Sequence, residues 1–289
     1  MDTKILSESF SLLRKNPILY LPDLVMIGLT YLLVYVLYLY TGAAQILPLL
    51  QSAEAVPMDI LRGYLTENLG QIIISTIIFF IVTFVLGVGV VIYKFSMIRE
   101  MISGKKISLF QSWKEKHGFF WPVVFTRVLV FIISMVAIGL VVALSALVYF
   151  LFSLGSPAFG KILAILVGIL ATIALLLLVQ FAILFRYPIM FMTKTRHPVQ
   201  VLRKSYDLFK KNKSFVLIAW LIILVINIIF GAITYVLSTL ITTGISFITI
   251  ATLAAVFSVL WTIINIIIDL TAEIWTQIYL FLKYKNKFS

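Results

Sequence analysis

From Phe119 to Leu154 the chain runs for 36 residues with a single charged side chain, Arg127. About 20 apolar residues are enough to cross the hydrocarbon core of a bilayer as a helix, so a run of this length is a membrane segment. Five further runs share the property: Ile18 to Tyr40, Leu69 to Tyr93, Phe159 to Phe185, Phe215 to Leu240 and Ile245 to Leu282. Inside lipid a backbone has no water to bond, so each run must satisfy its own N–H and C=O groups as an α-helix. The expected fold is an all-α integral membrane protein of six transmembrane helices, one polytopic domain over residues 1–289. The third and sixth runs, at 36 and 38 residues, exceed a perpendicular crossing and must tilt, kink or extend into an interface. Only 12% of residues are charged, against about 25% in soluble domains, which leaves no stretch for a water-soluble domain.

Charge placement predicts the orientation. Of 23 Lys and Arg, 20 lie before the first run, between the second and third, between the fourth and fifth, or after the sixth. Arg62 and Lys161 alone fall in the opposite connections. The positive-inside rule then puts both termini in the cytoplasm of a cell-membrane protein, with Glu54, Asp59 and Glu67 in an outer loop that carries a short surface helix from about Met58. A cleavable signal peptide does not fit. The first apolar run, 23 residues, is longer than the h-region of about 7 to 15 residues, although Gly42, Ala43 and Ala44 follow it.

Cysteine is absent, which excludes disulfides, thiolate nucleophiles and cysteine-ligated metals. Both histidines, His117 and His197, fall in basic connections, and no HExxH, GxSxG or GxxxxGKS pattern occurs. No catalytic residue, metal or cofactor is expected, and the chain reads as a non-enzyme.

The chain repeats itself. Ser9-Phe10-Ser11-Leu12-Leu13-Arg14-Lys15-Asn16 matches Ser205-Tyr206-Asp207-Leu208-Phe209-Lys210-Lys211-Asn212 at a constant offset of 196. A weaker middle copy runs Ser112-Trp113-Lys114-Glu115-Lys116-His117, and its Trp121-Pro122 corresponds to Leu21-Pro22. Tyr93-Lys94-Phe95, Phe185-Arg186-Tyr187 and Leu282-Lys283-Tyr284 close the copies, each a cation among apolar neighbours, as expected of snorkelling interface anchors. Three tandem units follow, approximately 1–98, 99–193 and 194–289, each an amphipathic interfacial helix leading into a helical hairpin. Leu6, Phe10 and Leu13, like Leu202, Tyr206 and Phe209, form the expected apolar faces. Because each unit crosses twice, the copies are parallel, about an axis along the membrane normal.

Lipid is as apolar as leucine, so the spans must associate through close packing and polar contacts. Gly160, Ala164, Gly168 and Thr172 recur every fourth residue as a packing ridge; Gly87, Gly89, Gly139 and Ala143 are lesser candidates. Asp23, Arg127, Asp269 and Glu273 are ionisable residues within spans, each costing about 2.5 to 3.5 kcal/mol at membrane depth. Asp269 and Glu273 lie roughly 21 and 15 Å of helix rise before Lys283. Arg127 falls near the level of Glu273, its first candidate partner. With Ser258, Thr262, Asn265, Thr276 and Gln277, the two acids fill a sector of about 120°, a polar stripe expected to point inward. Such a stripe either stitches neighbouring helices together or lines a cleft in which Asp269 or Glu273 serves ion- or proton-coupled transport of a small solute.

The basic edge suits the lipid bilayer. Arg14, Lys15, Lys210, Lys211 and Lys213 are the candidate cations for anionic lipid headgroups, each worth about 1 kcal/mol near a charged membrane surface. A membrane-protein partner or a second copy of the chain is compatible with this surface. Nucleic acid is not expected, since no folded basic groove or stacking platform is encoded.

The Ser9-Phe10 and Ser205-Tyr206 segments with their basic-Asn ends, and the run Phe185-Arg186-Tyr187-Pro188-Ile189-Met190, resemble the six-span prokaryotic membrane domain found fused to some glycerophosphoryl diester phosphodiesterases and in stand-alone relatives of unknown function. The resemblance covers nearly the whole chain. It implies a membrane module near lipid metabolism, without the phosphodiesterase barrel or its metal-binding residues.

Overall fold

The computed structural model describes residues 2–44, 58–107, 117–246 and 251–288. Among these the chain is helical, with no strand. The helices are α1 (Asp2–Lys15), α2 (Leu21–Tyr40), α3 (Met58–Ile102), α4 (Phe120–Ser153), α5 (Pro157–Ile183), α6 (Arg186–Met192), α7 (Pro198–Lys211), α8 (Lys213–Ser246) and α9 (Ala251–Phe288). Among the described residues six segments are long and apolar enough to cross a membrane: Pro17–Tyr40, Leu61–Ile102, Phe120–Ser153, Pro157–Met192, Lys213–Thr243 and Ala254–Phe288. The middle lead segment, Ser112 to Lys116, lies outside the described residues, as does Glu54. The expected short surface helix near Met58 is not separate: α3 begins there and continues unbroken through its span to Ile102.

Two compact units divide the chain, residues 20–94 in one and residues 1–19 with 95–289 in the other. In the first, α2 and α3 are tied at both ends. The Tyr64 hydroxyl donates to the Thr41 carbonyl at 2.9 Å, and Lys94 Nζ meets Asp23 Oδ1 at 2.8 Å.

In the second unit, α4 and α5 form a tight hairpin that explains its small residues. Pro157 starts α5 behind Ser156, whose Oγ accepts from the Phe159 N–H at 3.4 Å. A Cβ on Gly160 would stand 2.7 Å from the Ser153 backbone nitrogen, and one on Gly168 would stand 2.7 Å from Ser145 Oγ. Gly89 and Gly139 meet nothing within 4 Å, so those lesser candidates are not close-packing positions.

The core of this unit surrounds α6. Phe185, Ile189, Met190 and Phe191 are buried there with Phe95, Phe119, Ile278 and Phe281. Phe95 stacks on Tyr187 with ring centres 4.7 Å apart and on Phe281 at 5.4 Å, so residues from the ends of the second, fourth and sixth spans meet at one point. Away from this collar the spans are sparsely covered, and Phe80, Phe131, Phe150, Ile162 and Leu240 are exposed. Such apolar surface is what lipid contact requires.

The helix α1 packs on α9, and α7 packs on α4, α5, α6 and α8. Leu13 is buried as expected, but the other inward positions sit one residue before those expected. Ile5, Ser9 and Leu13 are buried on α1, and Val201, Ser205 and Leu208 on α7. Phe10 and Tyr206 are instead 43% and 47% exposed. The reason is local: the small Ser9 permits close approach to α9, where Trp275 Nε1 donates to Ser9 Oγ at 2.8 Å and Phe10 packs beside the indole at 5.0 Å.

Candidate functional site

The polar groups of the spans include two buried, paired lysines, one in each unit, and a stripe on α9. Lys94 and Lys283, expected to snorkel to the interface, are each only 3% exposed. Lys94 is held by Asp23, 71 residues earlier. Lys283 Nζ lies 2.9 Å from Asp2 Oδ1 and donates to the Tyr279 hydroxyl at 3.0 Å, while that hydroxyl donates to Asp2 at 3.4 Å. A buried ammonium is tolerated because a carboxylate and hydrogen bonds replace its water. Neither pairing was visible in the sequence, since each joins helices far apart in the chain.

Arg186, the third exit cation, differs. It begins α6, its Nη1 donates to the Ile183 carbonyl at 3.2 Å, and its guanidinium lies 4.5 Å from the centre of the Tyr187 ring. The positive charges of both Arg186 and Arg127 act on the Tyr187 hydroxyl. A cavity of about 340 Å³ opens beside them, lined on its polar side by Arg186, Tyr187, Gln180 and Gln277. Phe95, Leu184 and Phe281 contribute to its apolar wall. The Gln180 Oε1 accepts from Trp220 Nε1 at 3.2 Å, which leaves its amide N–H groups as donors. Gln277 Nε2 donates to Glu273 Oε1 at 2.8 Å, and its buried Oε1 has no partner among the described residues.

The stripe on α9 does not point inward along its length. Ser258, Thr262, Asp269 and Glu273 are exposed, Asn265 and Gln277 half-buried, and Thr276 buried. Ser258 and Thr262 return their hydroxyls to carbonyls of their own helix at 2.9 Å. The helix thus satisfies its small polar groups internally, and packing covers the stripe only near the collar. Asn265 Oδ1 is buried without a partner among the described residues, and Asp269 has no hydrogen bond or ion pair there.

The five headgroup candidates Arg14, Lys15, Lys210, Lys211 and Lys213 are all exposed, at the ends of α1 and α7 and the start of α8. Sequence reasoning missed a second basic cluster: Arg99, Lys105, Lys106 and Lys194, with Glu100, line a cleft of about 420 Å³. Its signal was the cation density after the second run and before the fifth. Among the described residues no group of three or more His, Asp or Glu could hold a metal ion. Compared with protein-family models, curated proteins and solved structures, the chain matches none of them.

Proposed function

We propose that this multi-pass membrane protein is a non-enzymatic module whose basic edge, on the cytoplasmic side, organises anionic lipids and membrane partners. The observation that carries the reading is the sorting of cations into buried and exposed. Lys94 and Lys283 are buried against carboxylates. Arg14, Lys15, Lys210, Lys211 and Lys213 are exposed beside the exposed rings of Phe10 and Tyr206 on helices docked to the collar. Exposed cations flanked by aromatic side chains suit the headgroup layer of a negatively charged leaflet. The packing of each amphipathic helix against an exit segment, α1 on α9 and α7 on α5 and α6, supports the three-unit reading, and the charge distribution supports cytoplasmic termini. The likeness to the membrane domain fused to phosphodiesterases points the same way.

The test is retention of anionic lipid by protein purified in mild detergent, before and after Lys210, Lys211 and Lys213 are changed to Gln. Loss of lipid is expected; unchanged retention would remove this surface from the role. A transport reading is favoured by one observation, the exposure of Asp269 and Glu273 at membrane depth. Proton or ion flux in reconstituted vesicles that disappears in Asp269→Asn or Glu273→Gln would replace the lipid reading with transport.

A further inference from the structure

The three exits each present a cation, and they differ in what answers its charge. Lys94 faces Asp23 and Lys283 faces Asp2. Arg186 has neither counterpart. The correspondence of Leu21-Pro22 with Trp121-Pro122 puts Val123 where the first copy has Asp23, and the offset of 196 puts Pro198 where α1 has Asp2. Among the described residues Arg186 bonds the Ile183 carbonyl, lies over the Tyr187 ring and meets no carboxylate. Most of its five N–H donors therefore remain for an acceptor from outside.

We infer that the cavity beside Arg186 binds an anionic phospholipid whose headgroup carries hydroxyls, its phosphate on Arg186 and a headgroup hydroxyl on Gln277. The inference rests on the lipid reading above and gives it a specific site. Phosphate matches a guanidinium fork, and the Gln180 amide and Tyr187 hydroxyl add donors on the same side. Arg127, whose charge also acts on Tyr187, adds positive potential. Gln277 Oε1 is an acceptor, which a phosphate oxygen cannot satisfy and a hydroxyl can. The wall of Phe95, Ile183, Leu184, Leu280 and Phe281 would carry the start of an acyl chain, so a membrane amphiphile fits better than a free anion.

The test uses the full chain in mild detergent with equal phosphatidylglycerol and phosphatidylcholine of matched chains, and counts bound lipid by native mass spectrometry. Wild type is expected to hold one phosphatidylglycerol with a preference of about tenfold, the size of one charge-assisted contact. Arg186→Gln should bring the preference to parity, and Arg186→Lys should fall between, since it keeps charge and loses the fork. Should Arg186→Gln misfold, Tyr187→Phe keeps the ring on Phe95 and is expected to weaken the preference several-fold. A wild-type preference surviving in the Arg186 variants, or in Tyr187→Phe if that variant has to be used, overturns the site. If the preference survives there and vanishes only when Lys210, Lys211 and Lys213 are neutralised, the surface reading stands and the cavity assignment fails. No preference in wild type removes both. Displacement of the lipid by inorganic phosphate alone would show a free-anion site and overturn the lipid assignment.

Discussion

Lys94 Nζ lies 2.8 Å from Asp23 Oδ1 with the lysine side chain 3% exposed, a buried ion pair that joins the start of the first span to the end of the second. Removing one member leaves the other charged and without water, which costs about 3 to 5 kcal/mol, whereas replacing both by apolar groups is close to neutral. Asp23→Leu and Lys94→Met alone should therefore lower the thermal unfolding midpoint strongly, and the double variant should recover most of the loss. Additive losses in that cycle would show that the two groups do not depend on each other.

The contact of α1 with α9 rests on Trp275, Ser9 and the Asp2–Lys283 pair. Trp275→Phe keeps the ring beside Phe10 and deletes the N–H, so a loss of about 1 kcal/mol is expected. The readout is local: cleavage of the first 15 residues by a soluble protease should accelerate while the remainder of the chain stays protected. Uniform acceleration over the whole chain would argue that the clamp is not a separate feature.

Gly160 and Gly168 set the approach of α4 to α5, because a Cβ at either would fall 2.7 Å from an atom of the facing helix. Gly160→Val meets backbone and should destabilise by about 1 to 3 kcal/mol as overpacking. Gly139→Ala has open space and should be neutral or stabilising. Urea or thermal unfolding in one detergent compares the two, and equal effects would contradict the close approach.

Asp269 is exposed at the middle of the last span, and a carboxylate there cannot rest against acyl chains without a cost of several kcal/mol. Water is its expected neighbour. In the naturally cysteine-free chain, Asp269→Cys should react with a membrane-impermeant maleimide in intact vesicles, whereas Ile263→Cys and Ile267→Cys should not. Protection at all three would mean that a helix covers the carboxylate.

Lys194 ends the α6 turn with φ 52°, in the left-handed region that favours glycine. Lys194→Gly should raise stability by up to about 1 kcal/mol, visible as a higher melting temperature, and a fall would show that contacts of the side chain in its cleft outweigh the relief of backbone strain.

The six spans were legible in the sequence because run length is a local quantity measured against a fixed bilayer thickness, and no partner is needed to read it. The repeated lead segments and exit cations were legible too, as spacing. What Lys94 and Lys283 touch was decided only by the tertiary structure. Each is answered by a carboxylate distant in sequence, Lys94 by Asp23 and Lys283 by Asp2, so the same local pattern that suggested a snorkelling anchor carries a buried ion pair. The α9 stripe makes the converse point: helical periodicity gathers Ser258 to Gln277 onto one face, but whether that face is covered depends on neighbours that periodicity does not encode. Arg186 combines both lessons: its place among apolar neighbours is read from the sequence, and its contacts with the Ile183 carbonyl and the Tyr187 ring only from the fold.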